Sequence, residues 1–271
     1  MSNQTLPSPG PDATDAEHRE ATLAVVTGGG QGIGAQICRR LAADGYHVAV
    51  NDLVPERARA VVDEIVASGG RAMSAVADVS RSEAVDAMVD SLEDVAGPIG
   101  VLVNNAGISS NVAVRNLTDE EWRRVQAIDL DSAFFCTRRA LTTMRDARAG
   151  SVVNVTSRAW LGWWGQSAYA AAKAGVVGAT RALAVEVASR GVRVNAVAPG
   201  LIETPMLRNR SAEALERLTV SVPVGSIGTP ADVANAVSFL ASDRARVITG
   251  QVLYVGGGKN VYAYPDWPDR P

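Results

Sequence analysis

Residues 23–45 read LAVVTGGGQGIGAQICRRLAADG, and their order decides the architecture. Leu23 to Thr27 is a short apolar, β-branched run, the pattern of a strand buried in a parallel sheet. Gly28 to Gly34 is rich in glycine, and AQICRRLAADG after it has a helical pattern. Gly28, Gly32 and Gly34 stand at the spacing G-x-x-x-G-x-G. Without β-carbons the backbone can turn tightly and approach a pyrophosphate, and the helix N-terminus supplies amides and a positive dipole end. A glycine-rich stretch can be only a turn, but strand, glycine turn and helix in this order favour dinucleotide binding.

The chain beyond repeats the alternation. Tyr46 to Val50 reads as a second strand ending in Asn51-Asp52. A carboxylate about 20 residues beyond the glycine turn can bond a ribose 2′-hydroxyl and would repel a 2′-phosphate. No arginine opens the following loop and Gln31 precedes Gly32, so the sequence favours NAD over NADP. Pro55 to Ser68 reads as a helix, and Arg71 to Ala77 as a third strand closed by Asp78-Val79. Ser80 is expected to cap the next helix, with Glu83 completing a capping box. Val101 to Val103 lies in a fourth strand, followed by Asn104-Asn105-Ala106-Gly107, at a strand end where ligands bind in open α/β sheets. A helical region spans Thr118 to about Ala147 and carries Asp129 among apolar positions, where a carboxylate needs a partner. Ser151 to Thr156, Val192 to Ala198 and Gln251 to Val255 complete the strands, and Thr229-Pro230 starts a helix to about Ala241. The pattern predicts an α/β fold: one doubly wound domain over 21–258, with a seven-stranded, mostly parallel sheet and helices on both faces. Residues 1–20 read as a disordered tail. Residues 259–271 form an extension that could cross a subunit interface or cover a pocket.

Composition narrows the partners. The chain has 271 residues, 47% of them apolar, and a formal charge of −3 with no long basic run, which argues against nucleic acid. No apolar run approaches the roughly 20 residues that span a bilayer, and the N-terminus lacks the apolar core of a signal peptide. A cytoplasmic protein without a membrane partner is expected. Cys38 and Cys136 read as buried free thiols, and His18 and His47 form no metal or catalytic cluster.

Residues 157–173, SRAWLGWWGQSAYAAAK, carry the candidate chemistry. Tyr169 and Lys173 are one helical turn apart and share a face. A nearby cation favours a phenolate, and a tyrosine tuned in that way can exchange a proton with an alcohol or ketone. Alone the pair is weak, since such spacing is common on solvated helix faces. Trp160, Trp163 and Trp164 crowd the intervening loop and read either as the wall of an apolar substrate pocket or as an oligomer contact. Leu207 to Thr219 reads as a mobile helical lid. Arg158, Arg208 and Arg210 could meet an anionic acyl carrier or simply be solvated. The helix Ala168 to Ala188 is apolar or small nearly all round, so one face is expected on the sheet and another on a partner subunit.

In this order the motifs TGGGQGIG at 27–34, Asp52, DV at 78–79, NNAG at 104–107, Ser157, Tyr169, Lys173, PGLIET at 199–204 and ITGQVLYVGGG resemble the classical short-chain dehydrogenase/reductase family. The resemblance covers about residues 21–258 and implies a Rossmann-type domain, a homotetramer or homodimer, and hydride transfer between a nicotinamide and a carbon bearing oxygen. It implies that Tyr169 is the general acid/base, that Lys173 lowers its pKa and bonds the nicotinamide ribose, and that Ser157 holds the substrate oxygen. Gly28, Gln31, Gly32, Ile33, Gly34, Asp52, Leu53, Asp78, Val79, Asn105, Ala106, Gly107, Pro199, Gly200, Ile202 and Thr204 would hold the cofactor.

Two departures stand out. Asp129 occupies the place of the family's usual asparagine, which is thought to anchor a water that relays protons to the lysine. Ser157 lies twelve residues before Tyr169 where thirteen is commoner, and Thr156 stands at thirteen; Ser157 is preferred because VVNVT aligns as the strand. The expected activity is NAD-dependent interconversion of a small secondary alcohol and a ketone, cyclic or aromatic. A 3-oxoacyl-thioester reductase, on acyl carrier protein or coenzyme A, is the alternative. A cofactor-binding sensor or scaffold with little turnover is the reading from another class.

Overall fold

The computed structural model describes residues 22–203, 216 and 218–261. Seven strands form one sheet: β1 Leu23–Val26, β2 His47–Asp52, β3 Arg71–Val76, β4 Ile99–Asn104, β5 Gly150–Val155, β6 Val192–Pro199 and β7 Val252–Val255. Their order is β3-β2-β1-β4-β5-β6-β7, and every pairing is parallel. The sheet is thus parallel throughout, where the sequence predicts a mostly parallel one. Between β1 and β4 the winding changes direction, so the loops leaving these neighbouring strands part to opposite faces and open a crevice.

Side chains alternate across each strand, and the two faces bury separate cores. Ala24 and Val26 face α1 (Gly32–Ala43), α2 (Pro55–Ala67) and α7 (Pro230–Ala241) through Ile37, Leu41, Val61, Ile65, Val237 and Leu240. Leu23 and Val25 face α3 (Ser82–Ala96), α5 (Ser132–Ala147) and α6 (Ser167–Val187) through Val85, Leu92, Ala140, Met144 and Val187. Cys38 and Cys136 are buried free thiols, one in each core, and burial pushes the Cys136 thiol up to about 12. Among the described residues no helix is long and apolar enough to cross a membrane.

Two helix boundaries differ from expectation. Ser80 does not cap α3; its hydroxyl and amide bond the Asp78 carboxylate at 2.6 and 3.0 Å, and Arg81 precedes the helix without a side-chain cap. The local aspartate outcompetes the helix for the serine. The expected helix from Thr118 to Ala147 is broken into α4 (Asp119–Gln126), a π turn (Ala127–Asp131) and α5. Such a widened turn is frequent at functional sites, and here it carries Asp129.

The start of α7 is a full capping box. Thr229 Oγ1 accepts from the Asp232 amide, and the Asp232 carboxylate accepts from the Thr229 amide at 2.7 Å. Replacing Thr229 by Ala leaves the first turn's amides without that acceptor, so a loss of about 1 kcal/mol is expected in urea unfolding, with the m-value unchanged.

Candidate active site

The glycine turn after β1 is shaped by close approach. A Cβ on Gly34 would lie 2.1 Å from the Gly28 carbonyl oxygen, and one on Gly28 would lie 2.9 Å from Ala106 Cα. Gly28 and Gly32 have φ of +61° and +55°, and Gly32 faces open space. Thr27 Oγ1 accepts the amides of Asn105 and Ala106 at 3.0 Å, and Asn105 Nδ2 donates to the carbonyls of Thr27 and Gly28, also at 3.0 Å. The side chain of Asn105 therefore braces the turn from β4. Thr27 is a second brace that the sequence did not single out.

Asp52, at the end of β2, turns back over this loop. Its carboxylate accepts from the Gly30 amide at 3.1 Å and from the Val54 amide at 2.9 Å. A Cβ on Gly30 would stand 2.5 Å from Asp52 Oδ2, so the third glycine of the run, outside the G-x-x-x-G-x-G spacing, makes room for the carboxylate. A groove of about 830 Å³ runs along the strand ends. Gly28, Gln31, Gly32, Ile33, Gly34, Asp52, Leu53, Asp78, Val79, Asn105, Ala106 and Gly107 all line it. So does Arg57, in the first turn of α2. Arg57 stands past the start of the loop after Asp52, and the helix that begins at Pro55 swings it toward the groove.

A second cavity, of about 510 Å³, shares Ile33, Asn105, Gly107, Ile108 and Ser109 with the groove and is continuous with it. It collects Ser157, Tyr169, Lys173, Asp129, Trp163, Pro199, Gly200 and Ile202. Thr204 and most of the expected lid, with Arg208 and Arg210, lie outside the described residues. Ser157 ends the β5 loop and its Oγ accepts from the Ala159 amide at 3.1 Å, at the mouth of a short 3₁₀ turn (Arg158–Leu161). The neighbouring Thr156 is buried and donates to the Lys173 carbonyl at 2.9 Å, which commits its hydroxyl to holding α6 against β5.

The tryptophans separate. Trp163 lines the cavity. Trp160 instead sits in a groove between the C-terminal half of α6 and the edge of β7, with Arg181, Val185 and Tyr254. Trp164 is 81% exposed. The 3₁₀ turn and Gly162, at φ +103°, rotate the three indoles to different sides, so their closeness in sequence does not make one wall.

Lys173 and Asp129 form a buried ion pair. Lys173 Nζ is 3.1 Å from Asp129 Oδ1 and donates to the Val155 carbonyl at 3.3 Å, and Asp129 Oδ2 accepts from the Ile108 amide at 3.0 Å. The carboxylate meets the ammonium directly, without an intervening group. A Cβ on Gly107 would lie 2.5 Å from Asp129 Oδ1 and 3.2 Å from Lys173 Nζ, so that glycine permits the contact. The ammonium is also 5.6 Å from the Tyr169 ring centre. Burial raises the Asp129 carboxyl above the usual carboxylate range, opposed by the Lys173 charge and the Ile108 amide.

Comparison with known proteins agrees with this geometry. A family model described as enoyl-(acyl carrier protein) reductase matches residues 28–260. The (2S)-[(R)-hydroxy(phenyl)methyl]succinyl-CoA dehydrogenase subunit BbsD of Thauera aromatica is 44% identical over 241 residues, 89% of this chain and 97% of that protein. The 3-oxoacyl-[acyl-carrier-protein] reductase FabG of Staphylococcus aureus strain Mu50 is 42% identical over 237 residues, 87% and 96% of the two chains. A crystal structure assigned as a gluconate dehydrogenase from Agrobacterium tumefaciens superposes with a TM-score of 0.86 at 29% identity, covering 89% of this chain and 96% of that one. The chain belongs to the short-chain dehydrogenase/reductase family of nicotinamide-dependent oxidoreductases.

The raised carboxyl gives a pH dependence with a definite sign. Asp129 takes up its proton in the fold at a higher pH than in the unfolded chain. Its linkage contribution therefore favours the fold below the ordinary carboxylate pKa and is lost as pH rises through the raised value. Urea unfolding of the parent and Asp129→Asn across pH should show the difference moving in the parent's favour as pH falls. The opposite trend would mean that the Lys173 charge outweighs burial. Asp129→Ala, which leaves the ammonium with the Val155 carbonyl alone, should cost about 3–5 kcal/mol.

Proposed function

We propose that this chain interconverts a secondary alcohol and a ketone, with NAD as the preferred cofactor. The observation that carries the reading is the single cavity that joins Ser157, Tyr169 and Lys173 and opens into the glycine-lined groove. The groove fits a dinucleotide: glycines whose side chains would collide with backbone build its floor, and Gly32 leaves free space beside the N-terminus of α1. When bound, the nicotinamide supplies or accepts the hydride. Ser157 Oγ holds the substrate oxygen, and Tyr169 passes a proton to it or takes one from it. The Lys173 ammonium stabilises the negative charge that forms on the phenol oxygen as that proton moves. Asp129, the Val155 carbonyl and the Ile108 amide hold the ammonium and its counter-charge in place.

NAD is favoured because a carboxylate stands at the end of β2. Its two amide bonds fix it where a ribose hydroxyl would donate and a 2′-phosphate would be repelled. Arg57, in the first turn of α2 beside Asp52, supports the reading with NADP; the preference for NAD rests on the carboxylate alone. A ring-bearing substrate is supported by Trp163 in the cavity and by the phenyl-bearing carbinol in the name of the Thauera aromatica relative. Both curated relatives are named for thioesters, which supports the second reading, a 3-oxoacyl-thioester reductase.

Nicotinamide absorbance with aryl and alicyclic secondary alcohols and 3-hydroxyacyl thioesters tests the reaction. Tyr169→Phe should lower kcat by about 10²–10⁴-fold while NADH still binds. Asp52→Ser should move the ratio of kcat/KM for NADP over NAD upward by about tenfold or more, and a parent that already prefers NADP would overturn the cofactor assignment.

A further inference from the structure

Among the described residues the catalytic cavity is lined by three cations, Arg158, Lys173 and Lys259, and by one carboxylate, Asp129. That carboxylate is committed to Lys173. Arg158 and Lys259 have no ion-pair partner among the described residues, yet both are drawn out of bulk solvent. Burial pulls the pKa of each below its ordinary value, and the Arg158 charge lowers Lys259 further. The two converge on one indole: the Arg158 guanidinium is 4.5 Å from the Trp163 ring centre and the Lys259 ammonium 5.9 Å. Lys259 is anchored besides by a hydrogen bond to Ser221 Oγ. Two like charges gathered round one ring repel each other, and the negative face of the indole offsets that only in part. An anionic oxygen between them would remove the repulsion.

The position selects the source of that anion. Arg158 directly follows Ser157, the residue that would hold the reacting oxygen. Both line the same cavity, so a group held by Arg158 there shares the chamber with the reacting carbon. The phosphates of a coenzyme A or carrier-protein arm are separated from the thioester by the length of pantetheine and would emerge from the cavity. We propose that Arg158 and Lys259, set by Trp163, form an anion subsite that takes a carboxylate borne by the substrate itself, close to its carbinol carbon. This deepens the alcohol-ketone reading and rests on it for the identity of the reacting carbon. Trp163 then also holds the cations, with Arg158 over its ring. Lys259, the first residue of the C-terminal extension, becomes part of the substrate site.

The test is calorimetric binding to NADH-saturated protein, using ligands that cannot react. These are 3-phenylpropanoate, its methyl ester, and free coenzyme A. The acid should bind about tenfold tighter than the ester, as charge-assisted bonds to two cations require. Arg158→Gln and Lys259→Gln should each lose most of that preference, and Arg158→Lys should keep it. Equal binding of acid and ester, no binding of the acid, or preference retained in both Gln variants would overturn the subsite. So would a loss confined to coenzyme A, which would make the anion a phosphate. If a Gln variant no longer binds NADH, the acid-ester comparison in the parent and Arg158→Lys still decides. An acid preference with the predicted losses, in a protein that turns over none of the alcohols or ketones, would sink the alcohol-ketone reading and leave the subsite standing.

Discussion

The contact between Lys173 and Asp129 ties the site together. Lys173 comes from α6, Asp129 from the π turn, the Ile108 amide from the segment after β4 and the Val155 carbonyl from the end of β5. Two charges with almost no exposed surface are tolerated only when each is paired and hydrogen-bonded. Each of those four segments therefore has one acceptable position relative to the others. The widened turn at Ala127–Asp131, the missing side chain at Gly107 and the buried hydroxyl of Thr156 all serve that placement. An asparagine at 129 would remove the carboxylate's charge, so this chain's departure from the usual residue alters the charge at the centre of the site and not only its shape.

A second constraint comes from the sheet. Because β1 and β4 are parallel neighbours whose connections run to opposite faces, their ends cannot be closed by either loop. The glycine turn and the Asn105–Gly107 segment meet across that opening and brace each other through Thr27 and Asn105. The groove is therefore built by the backbone, and its bonds are internal to the scaffold. Asp52 extends the same logic: its carboxylate is oriented by two amides, so it is held in a fixed position on the groove wall.

The catalytic cavity continues from this groove and is distinguished by its charge. Asp129 neutralises one cation of three, and the remaining pair surrounds an indole beside Ser157. The relatives named for a hydroxy(phenyl)methylsuccinyl-CoA and for 3-oxoacyl-[acyl-carrier-protein] match this chain over nearly its whole length. Such sites graft different specificities onto one fold by varying loops over a constant scaffold.

Much of this was legible in the sequence because it depends on local rules. Short apolar, β-branched runs marked the strands, glycine spacing marked the cradle, and the ordered motifs marked the family. The groove residues from Gly28 to Gly107 and the trio Ser157, Tyr169 and Lys173 follow from those signals. Tertiary structure decided the rest, because it turns on contacts between segments far apart in the chain. Ser80 turned to Asp78 instead of capping α3, the helix around Asp129 widened to reach Lys173, and three adjacent tryptophans went to three different places. Arg57 and Lys259 carry no periodic or motif signal, and only the packing of α2 and of the chain after β7 brings them to the groove and the cavity. A side chain's neighbours in sequence set its backbone, whereas its partner is set by burial, since a charge taken out of water must find whatever opposite charge or acceptor the fold has brought within reach.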